Sequence, residues 1–374
     1  MKVLFLTNIP SPYRVDFFSE LGKKCDLTVL FEFKNVNYRE DSWISNEFAN
    51  FKHIFLSNDE RSIGDEINFS VLKYLKKNIY DFIIISGYNT KTSILAIEYM
   101  RLKKIPFILS VDGINFKNES LIKYKFKKRL ISSASAWLST GKKANENLFK
   151  YGAKEENTFI YPFTAIKDEE IINSYYSQQE INKKKNMLGL SNKKIILGVG
   201  RFVQVKCFDN LIRSFSKLKK DEWQLILIGN GPEKEKYDHI IKNKKINNIK
   251  ILEFMNKKEL IKYYRVSDLF VLPSNDEVWG LVINEAMAQG IPVISTNKCG
   301  AALEMININK NGYIYKANNE EELYGKIFTF TNLSEDEVND MKLFSIKVAR
   351  KYTIEKMAEK HIEILNLLRR KLNG

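Results

Sequence analysis

The chain reads as an α/β protein of two doubly wound units, each a parallel sheet covered by helices. Two observations predict this. Short, continuous apolar runs alternate with helix-forming segments from the first residue onward, and most of the runs end in Gly, Ser or Asp. A strand buried on both faces needs that continuous apolar character, and its polar end marks where the chain leaves the sheet. The 374 residues suffice for two domains of ordinary size, and 44% hydrophobic content is globular.

The first series opens with Val3-Leu4-Phe5-Leu6-Thr7, a Pro-containing turn and a helix over about residues 15–23. Strands follow at 27–31, at 82–85 before Ser86-Gly87, at 107–111 before Asp112-Gly113, and at 136–139 before Thr140-Gly141. A second series runs from Ile195-Ile196-Leu197 through 224–228, 249–252, 269–272 and 293–296. Between the series, residues 168–190 are charged, helix-forming and rich in Lys, Gln and Asn, as suits a connection plus a peripheral helix. Residues 353–372 place Ile354, Met357, His361, Ile364, Leu367 and Leu368 near helical spacing, so an amphipathic helix closes the chain. The expected domains are residues 1–165, 166–352 and 353–374. Doubly wound sheets bind ligands at the carboxyl ends of their strands.

The charge of +15 calls for an acidic partner: nucleic acid, anionic lipid or a phosphorylated substrate. The basic residues are dispersed without an aromatic-basic recognition pattern, which argues against nucleic acid. Cys25, Cys207 and Cys299 have no metal-like spacing and suggest a reducing compartment. No secretory leader and no apolar run of membrane-spanning length is visible, so a cytoplasmic protein is expected, with peripheral association at the inner face of the membrane as its extension.

The most informative segment is residues 276–296, DEVWGLVINEAMAQGIPVIST. Glu277 lies in a loop after an apolar strand, Gly280 breaks the loop, and a helix is expected over 281–289. Gly290 and Pro292 stop it before Val293-Ile294-Ser295-Thr296. One carboxylate therefore precedes a helix N-terminus and the other, Glu285, rides on the helix. A helix N-terminus favours phosphate, whereas carboxylates suit sugar or ribose hydroxyls.

This string resembles the signature of the family four retaining glycosyltransferases of bacterial polysaccharide and glycoconjugate type, which have the GT-B fold. The matching residues are Glu277, Trp279-Gly280, Glu285-Ala286, Gly290 and Pro292-Val293-Ile294. Gly198-Val199-Gly200-Arg201 with Lys206, Ile228-Gly229-Asn230-Gly231-Pro232, and Gly300, Glu304 and Asn311-Gly312 extend the resemblance through the second half. The first half matches in layout only. The resemblance implies two Rossmann-like domains facing a cleft, with the terminal helix crossing back to the first. It implies transfer of a sugar from a nucleotide diphosphate sugar, expected to be a UDP-sugar, to a hydroxyl of a glycan or lipid-linked acceptor, with retention. No protein nucleophile is assigned; the leaving phosphate would assist a same-face reaction.

On this resemblance Glu277, Arg201 and Lys206 are the catalytic group, with the two cations neutralising the departing diphosphate. Gly200, Glu285, Trp279, Gly280, Leu281, Phe254 and Met255 are donor-binding: Glu285 on the ribose, the backbone of 279–281 beside the sugar, and 254–255 near the base. Three departures stand out. Cys207 occupies a position where the family usually has Gly. The turn Asn8-Ile9-Pro10-Ser11-Pro12-Tyr13-Arg14 lacks the family's glycines, which makes Arg14 an acceptor-side candidate. Asp112-Gly113 stands where a His is often found, so Asp112 is the second acceptor-side candidate, and His53, His239 and His361 all lie outside the motifs. No Asp-x-Asp motif or Cys/His cluster points to a metal, and no cofactor is expected beyond the donor substrate. Residues 117–129, with Lys117, Lys123, Lys125, Lys127, Lys128 and Arg129 among Leu121, Ile122, Tyr124 and Phe126, read either as a solvated helix face or as an interfacial helix on anionic lipid. The rival readings are a sugar-nucleotide epimerase or hydrolase of the same fold, and a basic nucleic-acid-binding protein.

Overall fold

The computed structural model describes residues 1–35, 47–57, 66–113 and 119–373. The chain divides into two compact units, Met1–Ala165 with Thr353–Gly374, and Ile166–Tyr352.

The first unit contains β1 (Lys2–Thr7), α1 (Pro12–Gly22), β2 (Asp26–Phe31), β3 (Lys52–Phe55), β4 (Phe82–Ser86), α2 (Lys91–Lys103), β5 (Ile108–Val111), α3 (Leu121–Ser132), β6 (Ala136–Ser139), α4 (Lys142–Lys150) and β7 (Thr158–Ile160). Its seven strands are ordered β3-β2-β1-β4-β5-β6-β7 and pair in parallel. The order reverses between β1 and β4, so the carboxyl ends of these strands flank the unit's natural crevice. The apolar runs of the sequence became the central strands. The edge strands β3 and β7 escaped notice because they are half-exposed and carry no continuous apolar run.

The second unit contains α5 (Gln178–Met187), β8 (Lys194–Val199), α6 (Phe208–Ser216), β9 (Trp223–Ile228), α7 (Lys234–Asn243), β10 (Ile249–Leu252), α8 (Lys257–Tyr264), β11 (Leu269–Leu272), α9 (Leu281–Ala288), β12 (Val293–Thr296), α10 (Gly300–Met305), β13 (Gly312–Tyr315), α11 (Glu320–Thr331) and α12 (Glu335–Ala349). Its six strands are ordered β10-β9-β8-β11-β12-β13, again parallel, with the reversal between β8 and β11. The helical stretch expected over 168–190 is shorter. Apart from a single tight turn at Asp168–Glu170, the helix is α5, which starts where Ser177 and Glu180 cap each other's backbone N–H.

The last helix, α13 (Ile354–Asn373), belongs to the first unit and packs along α1. Its His361 is buried between Phe17 and Tyr161, each ring 4.6 Å away, and its Nδ1–H donates to the Met357 carbonyl at 2.8 Å. Burial pushes this imidazole down to about 4, so it packs as a neutral ring at neutral pH. Each unit has its own core. Phe5, Phe17, Phe18 and Phe31 meet edge-on around α1, and Phe202, Phe208 and Tyr237 do the same in the second unit. Each such ring contributes roughly 1.5–3 kcal/mol by leaving water.

One buried acid stands outside these apolar clusters. Glu32 follows β2, and its N–H donates to Thr7, the last residue of β1, at 2.9 Å. Its side chain is 2% exposed; Thr90, which caps α2, donates to Oε1 at 2.7 Å, and Oε2 has no partner among the described residues. Burial pushes the carboxyl up to about 7. A raised acid binds its proton more tightly folded than unfolded, so this group costs stability as pH climbs from the ordinary carboxylate range through 7. Replacing Glu32 with Gln should therefore stabilise the protein at pH 8 relative to pH 5, by on the order of 1–3 kcal/mol. Urea titrations of both proteins at the two pH values test this. An identical difference at both would show that Glu32 keeps an ordinary pKa.

Candidate functional site

In the second unit two turns at the carboxyl edge lie against each other. Gly200 N–H donates to Ile228 at 3.0 Å and Phe202 N–H to Asn230 at 2.7 Å. A Cβ on Gly229 would stand 1.9 Å from the Gly200 carbonyl oxygen, and one on Gly231 would stand 2.5 Å from that of Phe202. Side chains cannot occupy these positions, and that close approach carries Arg201 to the surface, where it makes no ion pair among the described residues. Lys206 ends a short turn, Gln204–Lys206. Cys207 follows in the left-handed region, φ 52°. A non-glycine residue there costs on the order of 1 kcal/mol, which gives the physical reason that glycine suits this position.

The loop after β11 is tied to that turn by Asn275 N–H donating to the Val205 carbonyl at 3.0 Å. Glu277 is framed on both sides: its N–H donates to Lys298 at 3.2 Å, and its carbonyl accepts from Gly300 at 3.3 Å. Its carboxylate is paired with Lys206 and accepts from Ser274 Oγ at 3.4 Å. The fold thus joins two residues 71 positions apart into one partly buried ion pair.

The indole of Trp279 is 3% exposed and donates to Asn284 Oδ1 at 2.8 Å. Its carbonyl accepts from Ala301 N–H at 2.8 Å. The Trp279 side chain is therefore a wedge that holds the loop, leaving the following backbone as the part that can meet a ligand. Gly280, at φ 101°, makes the turn into α9, and the N–H groups of Gly280 and Leu281 carry no hydrogen bond among the described residues. These donors and the positive end of α9 form an anion-attracting edge.

Glu285 sits one turn into α9, half-buried. Tyr264 of α8 donates to its Oε2 at 3.0 Å. Burial raises the Glu285 carboxyl above the usual range, opposed by Lys257 and by the Tyr264 hydroxyl. Phe254 and Met255 follow β10, and Phe254 is exposed. Tyr264 was not singled out from the sequence; beside Tyr263, on an amphipathic stretch, it looks like any core aromatic.

In the first unit, Arg14 and Asp112 come together across 98 residues. Arg14 Nη2 lies 2.5 and 2.6 Å from the two Asp112 oxygens and donates to Ser86 Oγ at 3.1 Å. Arg14 is 4% exposed, so Asp112 is the accessible member of the pair. Burial works against the guanidinium charge, but Asp112 outweighs it and holds Arg14 above its ordinary pKa. Tyr161 donates to Asp112 Oδ1 at 3.3 Å, and Thr140 Oγ1 donates to the Asp112 carbonyl at 2.9 Å. Among the described residues no group of three or more His, Cys, Asp or Glu is arranged to hold a metal ion.

Residues 179–342 match the family model of Glycosyl transferases group 1. Among curated relatives, an uncharacterized glycosyltransferase of Haemophilus influenzae is 30% identical over 184 residues, covering 48% of this chain and 51% of that protein. The alpha-monoglucosyldiacylglycerol synthase of Acholeplasma laidlawii is 28% identical over 171 residues, covering 45% and 43%. The chain spans about half the length of the curated relatives it matches. Solved structures extend the likeness to the fold of the whole chain. A glycosyltransferase from Rickettsia africae superposes with a TM-score of 0.75 at 19% identity, covering 98% of each chain. Anabaena Alr3699/HepE in complex with UDP and glucose gives 0.75 at 18%, covering 98% of this chain and 99% of that one. Two parallel-sheet Rossmann-like units in one chain are the architecture of GT-B glycosyltransferases.

At the turn into α9, Gly280 has little conformational freedom. A Cβ there would lie 2.9 Å from Cys299 Sγ and 3.2 Å from Leu272 Cδ2, at a φ that side chains avoid. Gly280→Ala should cost about 1–3 kcal/mol in chemical denaturation. Gly325→Ala, in open space on α11, should instead stabilise by about 0.5–1 kcal/mol. Equal effects would show that the α9 turn is not conformationally demanding.

Proposed function

We propose that the chain is a retaining, metal-independent glycosyltransferase of family four type, which moves a sugar from a nucleotide diphosphate sugar to a hydroxyl of a glycan or lipid-linked acceptor in surface polysaccharide or glycoconjugate synthesis. The observation that carries this reading is the pairing of Lys206 with Glu277 beside exposed Arg201 and the open N-terminus of α9. A departing diphosphate needs fixed positive groups, and a sugar needs an ionised acceptor for its hydroxyls; here both stand in one frame. A diphosphate near Lys206 would compete with Glu277 for the ammonium and free the carboxylate for the sugar. Arg201 and the N–H groups of Gly280 and Leu281 would supply the remaining positive field. These same groups can neutralise the leaving group without a metal. Glu285 would take ribose hydroxyls, and Phe254 and Met255 would border the base. A UDP-sugar donor is supported by the Anabaena protein's complexes with UDP and with UDP-glucose. On the acceptor side Asp112 would meet the hydroxyl, held by Arg14 from behind.

Glu277→Ala and Glu285→Ala separate the two roles. In isothermal calorimetry with UDP, Glu285→Ala should weaken binding by on the order of 1.5–3 kcal/mol, while Glu277→Ala leaves it nearly unchanged and abolishes most turnover of the UDP-sugar that binds. Turnover should persist in EDTA and depend on added acceptor. Equal loss of UDP affinity in both variants would refute the division of roles, and chelator-sensitive turnover would refute the metal-free reading.

A membrane partner has its own support. Leu121, Ile122 and Phe126 on α3 are 77%, 82% and 43% exposed, and Lys123, Lys125 and Lys128 are exposed on the same helix. Lys127 is instead paired with Glu119, and Arg129 with Glu98; Lys117 lies outside the described residues. Large apolar side chains among cations that form no ion pair with a described residue suit an anionic lipid surface and its acyl boundary. The relative from A. laidlawii is named for a glycolipid product, which agrees. The whole chain should co-sediment with anionic vesicles at low salt, less so in 0.5 M salt, and poorly with neutral vesicles. Changing Lys123, Lys125 and Lys128 to Gln should lower pelleting while UDP affinity stays the same. Absence of pelleting on anionic vesicles at low salt would point to a soluble acceptor.

A further inference from the structure

We infer that Tyr264 is a positioning residue for the nucleotide: it pins one carboxylate oxygen of Glu285 and so presents the other to a ribose hydroxyl. This rests on the ribose role proposed above for Glu285. Three observations carry it. Tyr264 is 1% exposed, and its ring packs 5.8 Å from that of Phe270 on β11, so the hydroxyl has a fixed address. That hydroxyl donates to Glu285 Oε2 at 3.0 Å, whereas Oε1 carries no hydrogen bond among the described residues and is not sealed from solvent. Finally, Tyr264 ends α8, whose N-cap Asn256 directly follows Phe254 and Met255. One short helix therefore connects the residues that would border the base to the group that orients the ribose carboxylate.

The physics favours a role beyond packing. A Glu side chain has three rotatable bonds, and holding it in one rotamer before the ligand arrives removes an ordering cost from binding. A phenol that donates also favours the ionised carboxylate, against the burial that disfavours it. An ionised Glu285 can accept from Tyr264 on one oxygen and from a ribose hydroxyl on the other with full strength, whereas a protonated one gives up acceptor capacity to its own O–H. A purely structural tyrosine would need the ring but not the hydroxyl.

Tyr264→Phe keeps the ring and removes the donor. The probes are UDP and 2′,3′-dideoxy-UDP, titrated by calorimetry into the whole chain between pH 6 and 8.5. The ratio of their affinities isolates the ribose contact from titration of the phosphate. The wild type should prefer UDP by about tenfold or more. Tyr264→Phe should bind UDP about threefold to tenfold more weakly and narrow the preference. Its preference should also collapse at a higher pH than in the wild type, because Glu285 without its donor takes up a proton sooner as the pH falls. Glu285→Gln should lose the preference at every pH. A Tyr264→Phe protein with wild-type preference and wild-type pH dependence, alongside a Glu285→Gln protein that has lost the preference, would overturn the positioning role alone. A Glu285→Gln protein that still prefers UDP would overturn the ribose role and this inference with it.

Discussion

A parallel strand covered by helices on both faces must be largely apolar between its ends, and both units are organised by that constraint. Every side chain of the central strands is committed to a core, as the unbroken burial of β4 through Ile85, β5 and β11 shows. Chemistry is thereby displaced to the carboxyl edge. Ser86, Asp112, Arg201, Ser274 and Glu277 all lie just past the end of a strand or at it. The loops that carry them are short, and neighbouring loops brace one another through backbone hydrogen bonds, as Asn275 does with Val205 and Phe202 with Asn230. Rigidity at the edge is inherited from the sheet beneath.

The charges at these edges are arranged by mutual restraint. Arg14 is held by Asp112 and Lys206 by Glu277, while Arg201 pairs with no carboxylate among the described residues. A buried ion pair adds little net stability, because desolvation offsets the attraction. Its value lies in geometry: each member keeps the other in one orientation. The two pairs differ in accessibility. In the first unit the cation is buried and the carboxylate is presented; in the second both members are partly buried, and a multiply charged anion can bid for the lysine.

Much of this was legible in the residue pattern, for physical reasons. Central strands announce themselves because burial on both faces demands unbroken apolar runs, and Gly280, Gly290 and Pro292 punctuate α9 because turns need their special backbone freedom. Edge strands β3 and β7 were silent, since a half-exposed strand without a continuous apolar run has little compositional signature, and β13 was silent because it is short and opens on a glycine. The glycine motif near Gly229 pointed to a turn, but only coordinates reveal the second chain segment pressed against it. Arg14 was read as an acceptor-side contact, and only the fold shows it buried against an aspartate nearly a hundred residues away. The same limit hid Tyr264, whose meaning lies in a partner 21 positions later on another helix. Trp279 matched a motif by identity, and the structure assigns its side chain to the core.

The first unit is discontinuous along the chain, and this has a consequence for how the protein is made. Residues 353–373 leave the ribosome only after the whole of the second unit, yet α13 covers the flank of α1, with His361 seated on Phe17. Until then that flank is an uncovered apolar surface on a unit whose sheet was synthesised long before. The second unit has all of its strands in hand earlier and can close first. Synthesis order and folding order therefore run in opposite senses, and a chain cut just before Thr353 would keep the second unit whole and leave the flank of α1 bare.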